Sequence, residues 1–261
     1  MNQTIRLLFA ATLLSAASPV LAQQSGTIEY EVTAKTDPER MRGFQRGGGD
    51  GDEAPQIPDV ITFKQTFTFN NNLGKLTTER PDFGGAGRRR PEGDTSSRNF
   101  RRPGMGGGMG FRGNNAQYVD LANKKYDQVF TTLGDDKKTY YTEEDFIYTA
   151  NNKSTDKTKK IAGYTCKKAT IQLKDDTYTV WYTTELPFAF SPINGLLPDS
   201  NAVVLSAEGS RRAFTAKNIS LKPITDTDLG VPAGAEKVSQ EQMRNIRRQE
   251  MEKLRKRQPQ L

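Results

Sequence analysis

The sequence predicts a mainly β fold: a curved antiparallel sheet or half-barrel of about ten short strands, with a C-terminal α-helix and two disordered Gly/Arg-rich insertions. Three observations predict it. Apolar and polar residues alternate with a period of two in short runs, most clearly within residues 161–190. That period belongs to a sheet with distinguishable faces. Short polar turn signals separate the runs. Before residue 239 no ten-residue stretch carries a helical pattern, and without crossover helices the sheet should be antiparallel.

The elements follow in order. Residues 1–22 combine Arg6, an apolar run from Leu7 to Leu14 and the small-residue site Val20-Leu21-Ala22. They form a signal peptide with cleavage expected after Ala22, and the run is too short to span a bilayer. Gln23, not cysteine, follows that site, so the protein is not expected to be a lipoprotein. Residues 23–225 form the β domain. Residues 26–35 are its first strand, with Ile28, Tyr30 and Val32 on one face. Residues 37–58 lose all periodicity and form the first insertion. Residues 59–70 carry Ile61, Phe63, Phe67 and Phe69 on one side, with Gln65 interrupting the row, and turn at residues 70–74 into a partner strand at 75–79. Residues 84–113 hold ten glycines and seven arginines with almost no aliphatic side chains, so they cannot bury enough apolar area to order themselves. Residues 116–121, 124–132 and 138–149 follow as a meander. A hairpin over 169–184 turns at Lys174-Asp175-Asp176-Thr177, and strands at 202–207 and 212–221 complete the sheet. Residues 226–261 are a linker and a basic helix. Ser239-Gln240-Glu241-Gln242 has the form of a capping box, and the helix has a thin apolar face of Met243, Ile246, Met251 and Leu254.

Composition limits the chemistry. The chain has no histidine, which removes the commonest general base, the commonest metal ligand and every Ser–His or Cys–His arrangement. Its lone cysteine, Cys166, cannot form an internal disulfide and reads as a small buried hydrophobe, against an exposed thiol or an intermolecular partner. The net charge of +7 sits in appendages. Residues 84–113 carry +5 and residues 236–257 carry +4, which leaves about −3 for the rest of the mature chain.

Few motifs carry chemistry. Glu143-Glu144-Asp145 is the densest acidic cluster, but adjacent strand residues point to opposite faces and no second acidic cluster opposes it. It reads as a solvated strand end. Arginines interleaved with Phe and Gly (Arg88, Arg89, Arg90, Arg101 and Arg102 among them) resemble single-strand RNA-binding tails. Behind a signal peptide they point instead to an anionic surface polymer or to a passive solubilising loop. No specific nucleic acid is expected. The sequons Asn152-Lys153-Ser154 and Asn218-Ile219-Ser220 read as chance matches.

Residues Ile161 to Ala169 (IAGYTCKKA) and Val180 to Pro187 (VWYTTELP) resemble the GLPGLI family of secreted bacterial proteins. Tyr140 to Phe146 and Tyr118-Val119-Asp120 are similar to its preceding strands. The resemblance covers residues 26–221 apart from the insertions. The name-giving motif is degenerate here, its place taken by Gly195-Leu196-Leu197-Pro198-Asp199-Ser200. What the resemblance implies is a periplasmic or surface β-domain with no transferable catalytic residues.

The expected function is that of an exported, non-enzymatic envelope protein, periplasmic or outer-membrane-associated, binding an apolar or peptide-like ligand or an envelope partner. No catalytic, cofactor-binding or metal-binding residues and no transmembrane span are expected. The aromatic row Phe63, Phe67, Phe69, Tyr178 and Tyr182 offers a concave apolar site if nothing fills it, and a core if something does. Trp181 faces away from that row. The alternatives are an interaction protein acting through its basic segments and a hydrolase using carboxylates alone.

Overall fold

The alternation seen in the sequence becomes twelve strands in one sheet. The computed structural model describes residues 25–36, 58–70, 72–79, 117–132, 137–149, 152–224 and 228–257, with side chains of the last helix through Lys253. The expected signal peptide, the expected insertions apart from residue 58, and the arginines of residues 84–113 lie outside the described residues. The strands are β1 (Ser25–Lys35), β2 (Val60–Asn70), β3 (Leu73–Thr78), β4 (Gln117–Asp120), β5 (Lys125–Thr131), β6 (Thr139–Asp145), β7 (Lys153–Ile161), β8 (Tyr164–Leu173), β9 (Asp176–Thr183), β10 (Val203–Glu208), β11 (Arg212–Ser220) and β12 (Glu236–Lys237). One helix, α1 (Gln240–Arg257), follows.

The order across the sheet is β12-β6-β5-β4-β3-β2-β1-β11-β10-β9-β8-β7. Two meanders therefore grow outward from the β1–β11 pair. All neighbours are antiparallel except β12, which pairs parallel with β6 through Glu236↔Tyr140 and Lys237↔Tyr141. The expectation of a purely antiparallel sheet is corrected at that one pair. A short returning segment can add in parallel because the chain between β6 and β12 already passes through the whole second meander.

Topology forces the curvature. Between β6 and β7 lie ten strand spacings, roughly 48 Å in a flat sheet. Residues 146–152, which join them, reach under roughly 30 Å even when fully extended. The sheet must therefore curl until its two ends approach. It remains open, and the gap is spanned by residues 184–202. Thr149 N donates to Leu197 O (3.0 Å), Ile147 N to Asn194 Oδ1 (3.0 Å) and Asn152 Nδ2 to Pro198 O (2.8 Å).

That same segment fills the concave side. Phe190 stacks on Phe67 with centroids 3.6 Å apart and an interplanar angle of 8°, and Phe188 lies 4.5 Å from Phe69. Leu196 and Leu197 are completely buried and belong to the same core cluster as Ile28, Val32 and Phe214. Side chains of this size each contribute about 1.5–3 kcal/mol on burial. Two buried tyrosines satisfy their hydroxyls across the fold: Tyr30 donates to Val204 O (3.0 Å) and Tyr126 to Ser191 O (2.7 Å). Burial pushes both phenols well above their ordinary range. The helix covers a separate patch at the β5–β6 end. Met243 is buried there, Arg247 lies 5.5 Å from the Phe130 ring, and Gln240 Nε2 donates to Glu144 (2.9 Å). Its start is the reciprocal capping box of the sequence: Gln242 N donates to Ser239 Oγ (3.1 Å) and Ser239 N to Gln242 Oε1 (2.8 Å). Among the described residues no helix is long and apolar enough to cross a membrane.

Candidate functional site

The concave face is occupied along most of its length, so Phe67 and Phe69 are core and form no ligand platform. At the end where β1 leaves the sheet and β2 enters it, the lining changes. Val32 and Ala34 of β1 face Phe63 and Ile61 of β2, and Ala34 pairs with Arg212 of β11. Phe63 and Ile61 are only half-buried. Gln65, two residues along and on the same face, is buried and fixed: its Nε2 donates to Thr78 Oγ1 at 2.8 Å. Its Oε1 then accepts from Arg212 Nη2 at 3.2 Å.

Arg212, like Arg247 on the helix, has a buried Nε without a partner. Its guanidinium lies 5.9 Å from the Phe63 ring, and burial lowers its pKa from the ordinary value. No carboxylate forms an ion pair with it among the described residues. Both oxygens of Asp176, on β9, accept from Ser210 N (3.1 and 3.0 Å). That bond is the main reason the Asp176 carboxyl is held low. Beside Arg212 a surface groove of about 280 Å³ is lined by Ala34, Lys35, Val60, Glu208, Arg211 and Arg212, among others. Lys35 lies opposite Val60 and beside Arg211 in the ladder, so these side chains point to the face opposite that of Arg212, Ile61 and Phe63. Sequence alone marks Arg212 only as the start of a strand; the register is what puts it against Gln65 and Phe63.

The acidic cluster of β6 is distributed as alternation requires. Glu143 accepts from Lys125 (2.9 Å) and Lys237 (2.7 Å), bonds that hold its carboxyl below the ordinary value. Glu144 points to the other face and meets the helix. The register adds a neighbour on the outer face: Asp127 of β5 lies opposite Glu143. Burial, aided by Glu143 and Asp120 and opposed by Lys125 and Lys237, raises Asp127 to about 6. One of its oxygens is buried with no hydrogen-bond partner. Among the described residues no three His, Cys, Asp or Glu side chains come together as a metal site.

Trp181 faces away from Val180 and Tyr182, opposite Lys168 and Ser206 on the neighbouring strands. It is half-buried, with the Lys159 ammonium 4.3 Å from its ring centroid. Cys166 is fully buried, and burial pushes its thiol up to about 11. A thiol so disfavoured as thiolate is an inert core residue.

Three comparisons place this architecture. Residues 113–197 match the model of the PNGase F-II N-terminal family, described as N-glycanase peptide, N-terminal domain. No curated protein matches the chain. Two solved structures of PNGF-II are similar in fold. The one in the C2 space group gives a TM-score of 0.55 at 15% identity over 87% of this chain and 33% of that one. The one in the P21 space group gives 0.51 at 16% identity over 87% of this chain and 34% of that one. The chain thus spans about a third of the length of the proteins it resembles, and the likeness is one of fold.

Proposed function

We propose that the chain is an exported, non-enzymatic β-domain of the bacterial envelope that works by binding, with the groove beside Arg212 recognising a ligand or an envelope partner. The observation that supports this reading most is the charge along the groove, where Lys35 and Arg211 stand against the single acid Glu208. The hollow that a curled sheet would otherwise offer is filled by Phe188, Phe190, Leu196 and Leu197. The match over residues 113–197 to a family described as an N-terminal domain supports a module that serves alongside another activity.

Amide hydrogen exchange of the exported protein, with and without envelope extract, tests this reading. Slower exchange is expected at the end of β1, the start of β2 and residues 208–213. Protection confined to the outer face of β4–β6, or none anywhere, would overturn it.

The uneven charge supports a second reading, retention on anionic surface polymers through residues 84–113. Counterion release then makes binding fall steeply with salt. Replacing Arg88, Arg89, Arg90, Arg101 and Arg102 with Gln should abolish retention on heparin; retention that survives both changes removes this reading.

A further inference from the structure

We infer that the edge formed by β7 and β8 is a contact surface for an anionic lipid bilayer, its lysines meeting headgroup phosphates edge-on. The inference goes beyond the binding role proposed above: it concerns a different surface and stands or falls without the groove.

Charge and shape select this partner. Residues 153–168 carry Lys153, Lys157, Lys159, Lys160, Lys167 and Lys168 against the single acid Asp156. All of these lysines but Lys168 are exposed, and none of the six forms an ion pair among the described residues. The Lys159 ammonium rests 4.3 Å from the Trp181 ring centroid, and Glu185, which the fold brings to the start of β8, accepts from Thr165 N (3.1 Å). Like charges on neighbouring strands repel, so a cluster without counter-charge lowers stability. Positive charge gathers here although the mature chain outside residues 84–113 and 236–257 sums to about −3. β7 ends the sheet, so its outer side has no strand neighbour. Every residue of it except Ile161 is exposed, and its side chains project from both faces along roughly 30 Å. A plane of negative charge approached edge-on meets both sets. A linear polyanion lies along one of them, and a small anion needs converging donors that a strand spreads apart. A partner strand needs a regular ladder, and the register shift between Thr155 and Thr158 interrupts this one. A single-stranded nucleic acid stacks on open aromatic faces, whereas Trp181 is half-buried with Lys159 over it. No large apolar side chain of either strand is exposed, so the contact lies on the headgroups without insertion.

Amide hydrogen exchange of the intact exported protein on phosphatidylglycerol vesicles, with phosphatidylcholine vesicles as the control, tests the inference without any variant. Exchange over residues 153–168 should slow on the anionic vesicles alone, and the effect should fade as salt rises, because exposed charges are screened. Equal protection on both lipids, protection confined to residues 236–257, or no protection overturns it. The combined change Lys153→Gln, Lys157→Gln, Lys159→Gln and Lys160→Gln should lower co-sedimentation with phosphatidylglycerol at least about tenfold, since each lysine near such a surface is worth roughly fivefold. Co-sedimentation that is unchanged counts against the surface; should the variant fail to fold, the exchange measurement decides alone. Replacing Arg88, Arg89, Arg90, Arg101 and Arg102 with Gln should leave the protection of residues 153–168 in place, and its loss would assign the contact to residues 84–113. Protection of the same residues by soluble heparin and not by vesicles overturns the lipid class in favour of a polymer. The groove is read at residues 208–213 with envelope extract, so the two surfaces can fail separately.

Discussion

At the scale of single residues, three positions illustrate how local environment sets the outcome of a change. Asp127 is an acid whose folded pKa of about 6 stands above its ordinary 3.8, chiefly through burial. The folded state therefore holds an extra proton between those values, and stability from this group rises as pH falls through that window. The penalty is present in full above about pH 6. Asp127→Asn should raise the melting temperature at pH 7 and make no difference below about pH 4, followed by thermal unfolding across that range; an unchanged melting temperature at pH 7 would show the carboxylate to be solvated. Gly195 sits at a φ of 94°, and a Cβ there would lie 2.7 Å from Leu173 Cδ1. Gly195→Ala should cost about 1–3 kcal/mol in chemical denaturation. Trp181, half-buried beneath the Lys159 ammonium, differs from a core tryptophan. Its truncation to alanine should cost less than the roughly 3–5 kcal/mol of a buried one, and iodide should quench its emission partially.

Elements differ in how far their sequence announces them. β1 and β2 were legible because Ile28, Tyr30 and Val32, and Phe67 and Phe69, alternate with polar neighbours that stay outside. The helix start was legible because its two capping bonds are made by the residues that name the motif. β7 was not. Its residues KSTDKTKK are exposed on both faces, so no apolar period exists to be seen. What fixes it is a tight turn at Ala162-Gly163, with φ values of 47° and 92°, and the ladder to β8. The docking stripe of the helix also escaped, because two of its three members, Met243, Arg247 and Glu250, are charged. Glu250 is buried with Lys253 on it at 2.6 Å. Charged residues at i+4 and i+7 hide an interface from any apolar count. Ser239→Ala, which removes one side of the capping box, should lower helix stability by about 1 kcal/mol and reduce the helical circular dichroism signal; an unchanged signal would mean that Met243 and Arg247 alone hold the element.

For the molecule as a whole, the decisive feature is the curling of an open twelve-strand sheet around its own chain. The aromatic row was readable as either groove or core, and periodicity could not choose, because Phe188 and Phe190 come from a segment with no strand pattern. Residues 195–200 contribute to that filling through Leu196 and Leu197. Likewise, Arg212 gained meaning only when two meanders met at the β1–β11 pair. The same topology says which connections matter. Residues 146–152 must span the ends of the curl, and Leu197, Asn194 and Pro198 hold them there. Residues 79–116, by contrast, join β3 to β4, which are direct neighbours with Leu76 opposite Gln117. The ends of that long connection are already brought together by the ladder, and closing a shorter loop between them changes the entropy only slowly with length. Removing residues 84–113 should therefore leave thermal unfolding nearly unchanged. A large fall in melting temperature would show that this arginine-rich stretch is part of the packed domain.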